Sequence, residues 1–164
     1  MSLSPAAPAS DLRLALYQPD IPGNTGAIMR LAACFGVGLD VIGPIGFDMS
    51  DRALRRAGMD YRDMAALHRH EDWDAFEAKR KTQGRRLVLF TTTAQLAYAD
   101  FTFAASDILL FGRETAGVPE HVHEAADARL LIPMPGGGRS LNLAMSAAIG
   151  LSEAMRQLRA ADRP

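Results

Sequence analysis

The groups able to do chemistry gather at turns that carry glycine. Residues 130–143, LLIPMPGGGRSLNL, run from an apolar stretch through two prolines and three consecutive glycines to Arg139, Ser140 and Asn142. Proline cannot donate to a strand ladder, and glycine admits backbone shapes and close approaches that a side chain forbids. This reads as a buried strand, a turn shaped for something to lie against it, and a helix opened by Ser140 or Asn142. Either residue is a good N-cap, so the turn faces unpaired N–H groups and the positive end of a helix dipole. In FGRETAG, residues 111–117, Gly112 and Gly117 bracket Glu114. Near the start, Asn24 is placed to cap a helix whose apolar positions Ile28, Leu31, Ala32 and Phe35 recur at helical spacing, which sends Arg30 to a different face.

Other constellations point away from common chemistries. Gly36-Val37-Gly38 is followed by Val41 where a dinucleotide fingerprint needs its third glycine, and the chain has no P-loop. His68 and His70 would share one face of a strand, but no dense carboxylate cluster accompanies them, while His121 and His123 point apart on a helix; no metal is expected. Cys34 is the only cysteine, so one chain can build neither a disulfide framework nor a cysteine-rich zinc site, and a reducing compartment, the cytoplasm, is expected. Its neighbours Leu31, Ala32, Ala33 and Phe35 mark it as a buried structural thiol. Five of the residues 79–86 are basic, and Arg52, Arg55, Arg56, Arg62 and Arg69 form a second group. A solvated helix face and phosphate contact both fit these clusters. A net charge of -1 argues against a protein that coats nucleic acid through bulk charge.

The elements that would position these groups alternate between strand and helix. Leu12 to Tyr17 reads as a strand closed by Pro19 and Pro22, the helix from Asn24 ends at Gly36, and Leu39 to Ile42 completes a parallel βαβ unit. A helix over Asp51 to Ala57 is capped by Ser50, and Ala65 to Leu67 is a short edge strand. A further helix, Asp72 to Thr82, buries Trp73 and Phe76. Strands follow at Leu87 to Phe90, Ile108 to Phe111 and Arg129 to Ile132, with an irregular stretch to Ser106 and a short helix from Pro119 to about Ala125. The final helix, from about Asn142 to Leu158, buries Ala144, Ala148, Leu151, Met155 and Leu158, and Met145, Ile149 and Gly150 mark a second covered side. At 164 residues the chain fits one domain, residues 12–159, between disordered tails at 1–11 and 160–164. The opening lacks a secretory pattern, and no apolar run is long enough to span a membrane.

Asn24-Thr25-Gly26 with Arg30, then Phe111-Gly112 with Glu114 and Gly117, then Ile132-Pro133-Met134 with Arg139-Ser140-Leu141-Asn142-Leu143, resemble in order and separation the three motifs of the SPOUT class of RNA methyltransferases. With YQPDIPGNTG near the start and LRRAGMDY at residues 54–61, the chain is most similar to the short tRNA (cytidine/uridine) 2′-O-methyltransferases that act at the wobble nucleotide. The resemblance runs from Leu14 to Leu158. It implies an α/β fold, a mostly parallel sheet flanked by helices, with its C-terminal part threaded into a trefoil knot. It implies a homodimer, S-adenosyl-L-methionine held by Phe90, Gly112, Ile132, Ser140 and Leu141, no metal, and the anticodon stem-loop of tRNA as partner.

Arg30 matches the family's catalytic arginine, and Asn24, Glu114, Ser140 and Asn142 match its orienting groups, though the two asparagines also read as helix caps. A guanidinium keeps its proton at ordinary pH, so Arg30 is expected to grip a phosphate and stabilise a developing alkoxide rather than act as a base. Methylation of another tRNA or rRNA site, or a scaffold without catalysis, are the alternatives; retention of all five groups argues against the scaffold. Two positions depart from the pattern: Ser152 stands where relatives often have tyrosine, and Arg113, where proline is common, adds positive charge beside the site. Because the chain is not basic overall, a dimer is expected to assemble its RNA surface from the Arg52 to Arg69 and Lys79 to Arg86 regions.

Overall fold

In the computed structural model the described residues are 11–60, 63–64 and 66–162. Residues 1–10 of the expected 1–11 tail, Arg62, Ala65 and the last two residues lie outside them, whereas Asp11 is described and pairs with Arg85. The strands are β1 (Arg13–Tyr17), β2 (Gly38–Ile42), β3 (Leu67–His70), β4 (Leu87–Phe90), β5 (Leu96–Ala97), β6 (Ile108–Phe111) and β7 (Ala128–Leu131). The helices are α1 (Pro22–Phe35), α2 (Asp51–Arg56), α3 (Trp73–Thr82), α4 (Glu120–Ala125) and α5 (Leu143–Ala161). The strands form one sheet in the order β3-β2-β1-β6-β4-β7-β5, and all its pairings are parallel.

A parallel sheet must be covered on both faces, which is why β1, β4 and β6 read as nearly unbroken apolar runs. On one face, Leu14 and Leu16 of β1 meet Ile28 and Met29 of α1, Leu54 of α2, and Leu143, Ala147 and Leu151 of α5. On the other, Ala15 and Tyr17 meet Trp73 and Phe76 of α3 and Val122 of α4. Gly150 lets α5 lie close to the sheet: a Cβ there would stand 2.7 Å from the ring of Phe90. No helix among the described residues is long and apolar enough to cross a membrane.

Several local expectations shift. Proline at the first helical turn starts α1 before Asn24, so Ile21 occupies the N-cap and Asn24 lies inside the helix. The buried stripe of α1 is Thr25, Ile28, Met29 and Ala32, which leaves Phe35 and Cys34 exposed; Cys34 is not a core thiol. The edge strand is Leu67–His70 rather than Ala65 to Leu67, held by pairing to β2. Leu96 and Ala97 pair with β7 inside the stretch expected to be irregular. The buried stripe of α5 is centred on Leu143, Ala147, Gly150, Leu151, Ala154 and Met155, and the helix continues to Ala161. On its second side Gly150 is covered, but Met145 is 63% exposed.

Edge strand β3 is pinned by a buried carboxylate. Asp40 of β2 accepts hydrogen bonds from Arg13 Nε and from His70 Nε2, each at 2.6 Å, and His68 meets Arg13 at 3.1 Å. Burial pushes the Asp40 carboxyl upward, but the hydrogen bonds from His70 and Arg13 outweigh it and hold the group below its ordinary 3.8. Stability from this group is therefore complete above 3.8 and is lost as the pH falls through the lower folded-state value. Asp40→Asn should lower neutral-pH stability by about 3 kcal/mol and flatten the fall in urea midpoint between about pH 5 and pH 2. An unchanged acid limb in the variant would contradict this role.

Candidate functional site

A cavity of about 420 Å³ opens at the carboxyl ends of β4, β6 and β7, beneath the first turns of α1 and α5. Parallel strands that end together leave their last backbone groups without partners on one edge, which is where open α/β sheets place ligands. Phe90 and Phe111 stack with ring centroids 4.9 Å apart, and Phe90 packs on α5 at Gly150. Residues Gly112 to Val118 form one wall, Ile132 and Met134 another, and Ser140 to Leu143 a third.

The wall at Gly112 is a closed turn. Arg113 and Gly117 exchange two backbone hydrogen bonds of 2.9 Å, and the Gly117 backbone comes so near Gly112 that a Cβ there would lie 2.6 Å from it. Any other residue at position 112 would force this turn open.

Polar side chains tie the three turns to one another. Glu114 accepts from the backbone N–H groups of Asp20 at 2.8 Å and Ile21 at 3.3 Å, and from Asn24 Nδ2 at 3.4 Å. Because Ile21 has no capping side chain, the carboxylate of Glu114 satisfies the start of α1 from another part of the chain. Asn142 Nδ2 donates to Asn24 Oδ1 at 3.0 Å, while Asn142 Oδ1 accepts from the N–H groups of Ala144 and Met145 and so caps α5. Ser140 caps nothing and stands exposed at the rim.

Phe90, Gly112, Ile132, Ser140 and Leu141, named from sequence, all line this cavity, as do Asn24, Glu114 and Asn142. Arg30 does not. Its Nε meets the buried carboxylate of Asp63 at 2.8 Å, its Nη2 donates to the carbonyl of Gly58 at 3.2 Å, and its side chain remains 53% exposed. Met134, named within the third motif, lines the cavity too, and Thr91, Thr92, Val118 and Ser146 line it without having been singled out as site residues from sequence. The one available signal is position: Thr91 and Thr92 directly follow β4, Val118 follows the glycine-bracketed turn after β6, and Ser146 lies one turn into α5.

Two charge expectations change. Arg113 does not present a free cation, because its Nε and Nη2 meet Asp20 Oδ1 at 3.2 and 2.6 Å. Within the basic run, Arg80 forks onto Glu77 and reaches Asp127, Arg85 pairs with Asp11, and Arg86 forks onto Asp107. These arginines hold the fold together rather than forming a free basic face. Arg69 likewise meets Asp51 at 3.0 Å, whereas Arg52, Arg55, Arg56 and Arg139 are exposed. No group of three or more metal-ligating side chains occurs among the described residues.

A family model described as "SpoU rRNA Methylase family" matches residues 11–152. A tRNA (cytidine(34)-2′-O)-methyltransferase of Beijerinckia indica subsp. indica is 58% identical over 145 residues, covering 88% of this chain and 91% of that protein. A solved structure bearing on 2-OH methylation of C/U34 on tRNA superposes with a TM-score of 0.84 at 40% identity, covering 93% of this chain and 99% of that one. The SpoU methyltransferase AviRb from Streptomyces viridochromogenes in complex with the cofactor AdoMet gives a TM-score of 0.76 at 29% identity, over 94% of this chain and 60% of that one.

Asn142 carries both a helix cap and the link to α1, so Asn142→Ala should cost about 1–2 kcal/mol in urea unfolding and should expose the amides of α5 near its start to faster hydrogen exchange. Unchanged protection at Ala144 and Met145 would contradict the cap.

Proposed function

We infer that this chain, which belongs to the SpoU rRNA methylase family, transfers a methyl group from S-adenosylmethionine to the ribose 2′-oxygen of the wobble nucleotide, cytidine or modified uridine, in tRNA anticodons. The observation that carries this reading is the meeting of three separated turns in one cavity of a size suited to a nucleoside-bearing ligand. The cavity suits the methyl donor in its chemistry as well. It combines an aromatic floor at Phe90 and Phe111, apolar walls at Ile132 and Leu141, and strand-end backbone with the hydroxyls of Thr91, Ser140 and Ser146. When bound, the donor supplies a methyl group already activated on a sulfonium.

The protein must then hold the acceptor oxygen in line with that methyl group and assist loss of its proton. In this reading Phe90, Gly112, Ile132, Ser140 and Leu141 surround the donor, and Asn24, Glu114 and Asn142 keep the two helix starts in register with it. Arg30 grips a phosphate next to the target ribose and stabilises the charge that develops on the oxygen. Since Arg30 stands outside the cavity, that role requires bound RNA or a second subunit to bring the ribose and the guanidinium together.

The reading extends to a homodimer and a knotted chain in the cytoplasm. Ile21, Leu141 and Met145, all substantially exposed, give the cavity mouth an apolar border that a second copy would cover. The exposed Arg52, Arg55, Arg56 and Arg139 then supply the basic surface for the anticodon stem-loop. Strand β7 lies between β4 and β5 and is parallel to both, so residues 91–95 carry the chain from one side of β7 to the other before β7 itself is reached in sequence. Such a crossing supports the trefoil reading.

Purified protein incubated with tRNA and isotopically labelled S-adenosylmethionine should place the label on the 2′-oxygen of the wobble nucleoside, read by mass spectrometry of digested RNA. Label on a base, or at another nucleotide, would contradict the assignment. Arg30→Lys, which keeps the charge but loses the fork, should reduce turnover about 100-fold. Near-normal turnover would remove Arg30 from the chemistry.

A further inference from the structure

We propose that Asp20 is a positioning residue for the methyl donor, acting as a clamp on the 112–117 turn that walls the cavity. Its two carboxylate oxygens take four hydrogen bonds from that one turn. Oδ1 receives Arg113 Nε at 3.2 Å and Nη2 at 2.6 Å, and Oδ2 receives Thr115 N at 3.3 Å and Thr115 Oγ1 at 2.7 Å. The backbone of Asp20 completes the grip, donating its N–H to Glu114 Oε2 at 2.8 Å. Three consecutive turn residues, Arg113, Glu114 and Thr115, are thus fastened to a single residue that precedes α1.

The geometry gives this clamp one purpose. The turn is closed on itself by the Arg113 and Gly117 backbone pair and by the left-handed backbone of Gly117, with φ of 62°, but closure does not fix where the turn sits over the sheet edge. Asp20 supplies that fixing point, because it follows β1, which lies beside β6 in the sheet, and the 112–117 turn leaves β6. Arg113 and Thr115 hydrogen bonds hold the Asp20 carboxyl below its ordinary value, in keeping with a carboxylate that stays ionised in its clamp. Residues 112–117 all face the cavity, whereas Asp20 itself does not line it. Asp20 therefore acts on a ligand through the turn and not by touching it. The clamp rests on the methyl-donor reading of this cavity.

Calorimetric titration with S-adenosylhomocysteine, alongside steady-state kinetics, tests it. Asp20→Asn, Arg113→Met and Thr115→Val should each raise the dissociation constant, the first two about tenfold and Thr115→Val less. The double variant Asp20→Asn with Arg113→Met should be no worse than the weaker single, since the two residues form one device. In Asp20→Asn, whose side chain does not line the cavity, KM for the methyl donor should rise while kcat and KM for tRNA stay within about twofold, a split that general destabilisation does not produce. Arg113→Lys, which restores charge without the fork, should recover part of the affinity. Unchanged donor affinity in folded Asp20→Asn and Thr115→Val, or strictly additive losses in the double variant, would overturn the clamp while leaving the methyl-donor reading intact. Failure of the unaltered protein to bind S-adenosylhomocysteine would overturn both.

Discussion

The structure depends on a hydrogen-bond relay of three side chains, Glu114, Asn24 and Asn142, that joins turns far apart in sequence. Glu114 leaves the turn after β6, reaches the start of α1 and touches Asn24; Asn24 accepts from Asn142; Asn142 caps α5. Each member answers a local need. Helix starts leave N–H groups without intrahelical partners, and α1 lacks a capping side chain of its own. Glu114 meets that need at α1 from outside, Asn142 caps its own helix, and Asn24 links the two, so together they set the positions of both helices over a single strand edge. The same contacts that satisfy backbone groups therefore shape the cavity.

Close approach supports the relay from below. Gly150 allows α5 to rest on Phe90, which stacks on Phe111, so the strand ends form a firm floor. Gly112 allows the 112–117 turn to fold back on itself without a side chain in the way. The walls above this floor are turns, and the chain fastens them with paired charges rather than with apolar packing. Asp20 with Arg113 does this at the cavity, and Arg80, Arg85 and Arg86 do it elsewhere with acidic partners drawn from three distant segments. A chain with near-zero net charge can afford many such pairs internally while leaving few cations outside.

Much of this was legible in the sequence because it is written in local patterns. Apolar runs bounded by proline and glycine located β1, β4, β6 and β7, and the family resemblance named eight site residues that now line one cavity. What escaped was set by partners remote in sequence. Asn24 looks like a cap from its neighbours alone, yet Pro22 starts the helix earlier and the asparagine turns inward to Glu114 and Asn142. The basic run at residues 79–86 looks like a free surface until Asp11, Asp107 and Asp127 are brought beside it. Cys34 sits among apolar letters but lies off the buried stripe of α1, because burial follows the helix face and not the adjacent residues. The two-residue strand β5 is too short to carry any periodic signal.

The most direct measurement is a crystal structure of the protein grown with S-adenosylhomocysteine. The account predicts the ligand between the floor of Phe90 and Phe111 and the walls formed by Gly112 to Val118, Ile132 and Ser140 to Leu143, with the Glu114, Asn24 and Asn142 contacts retained. Ligand bound elsewhere on the molecule, with this cavity left without it, would contradict the claim that the three turns assemble a methyl-donor site.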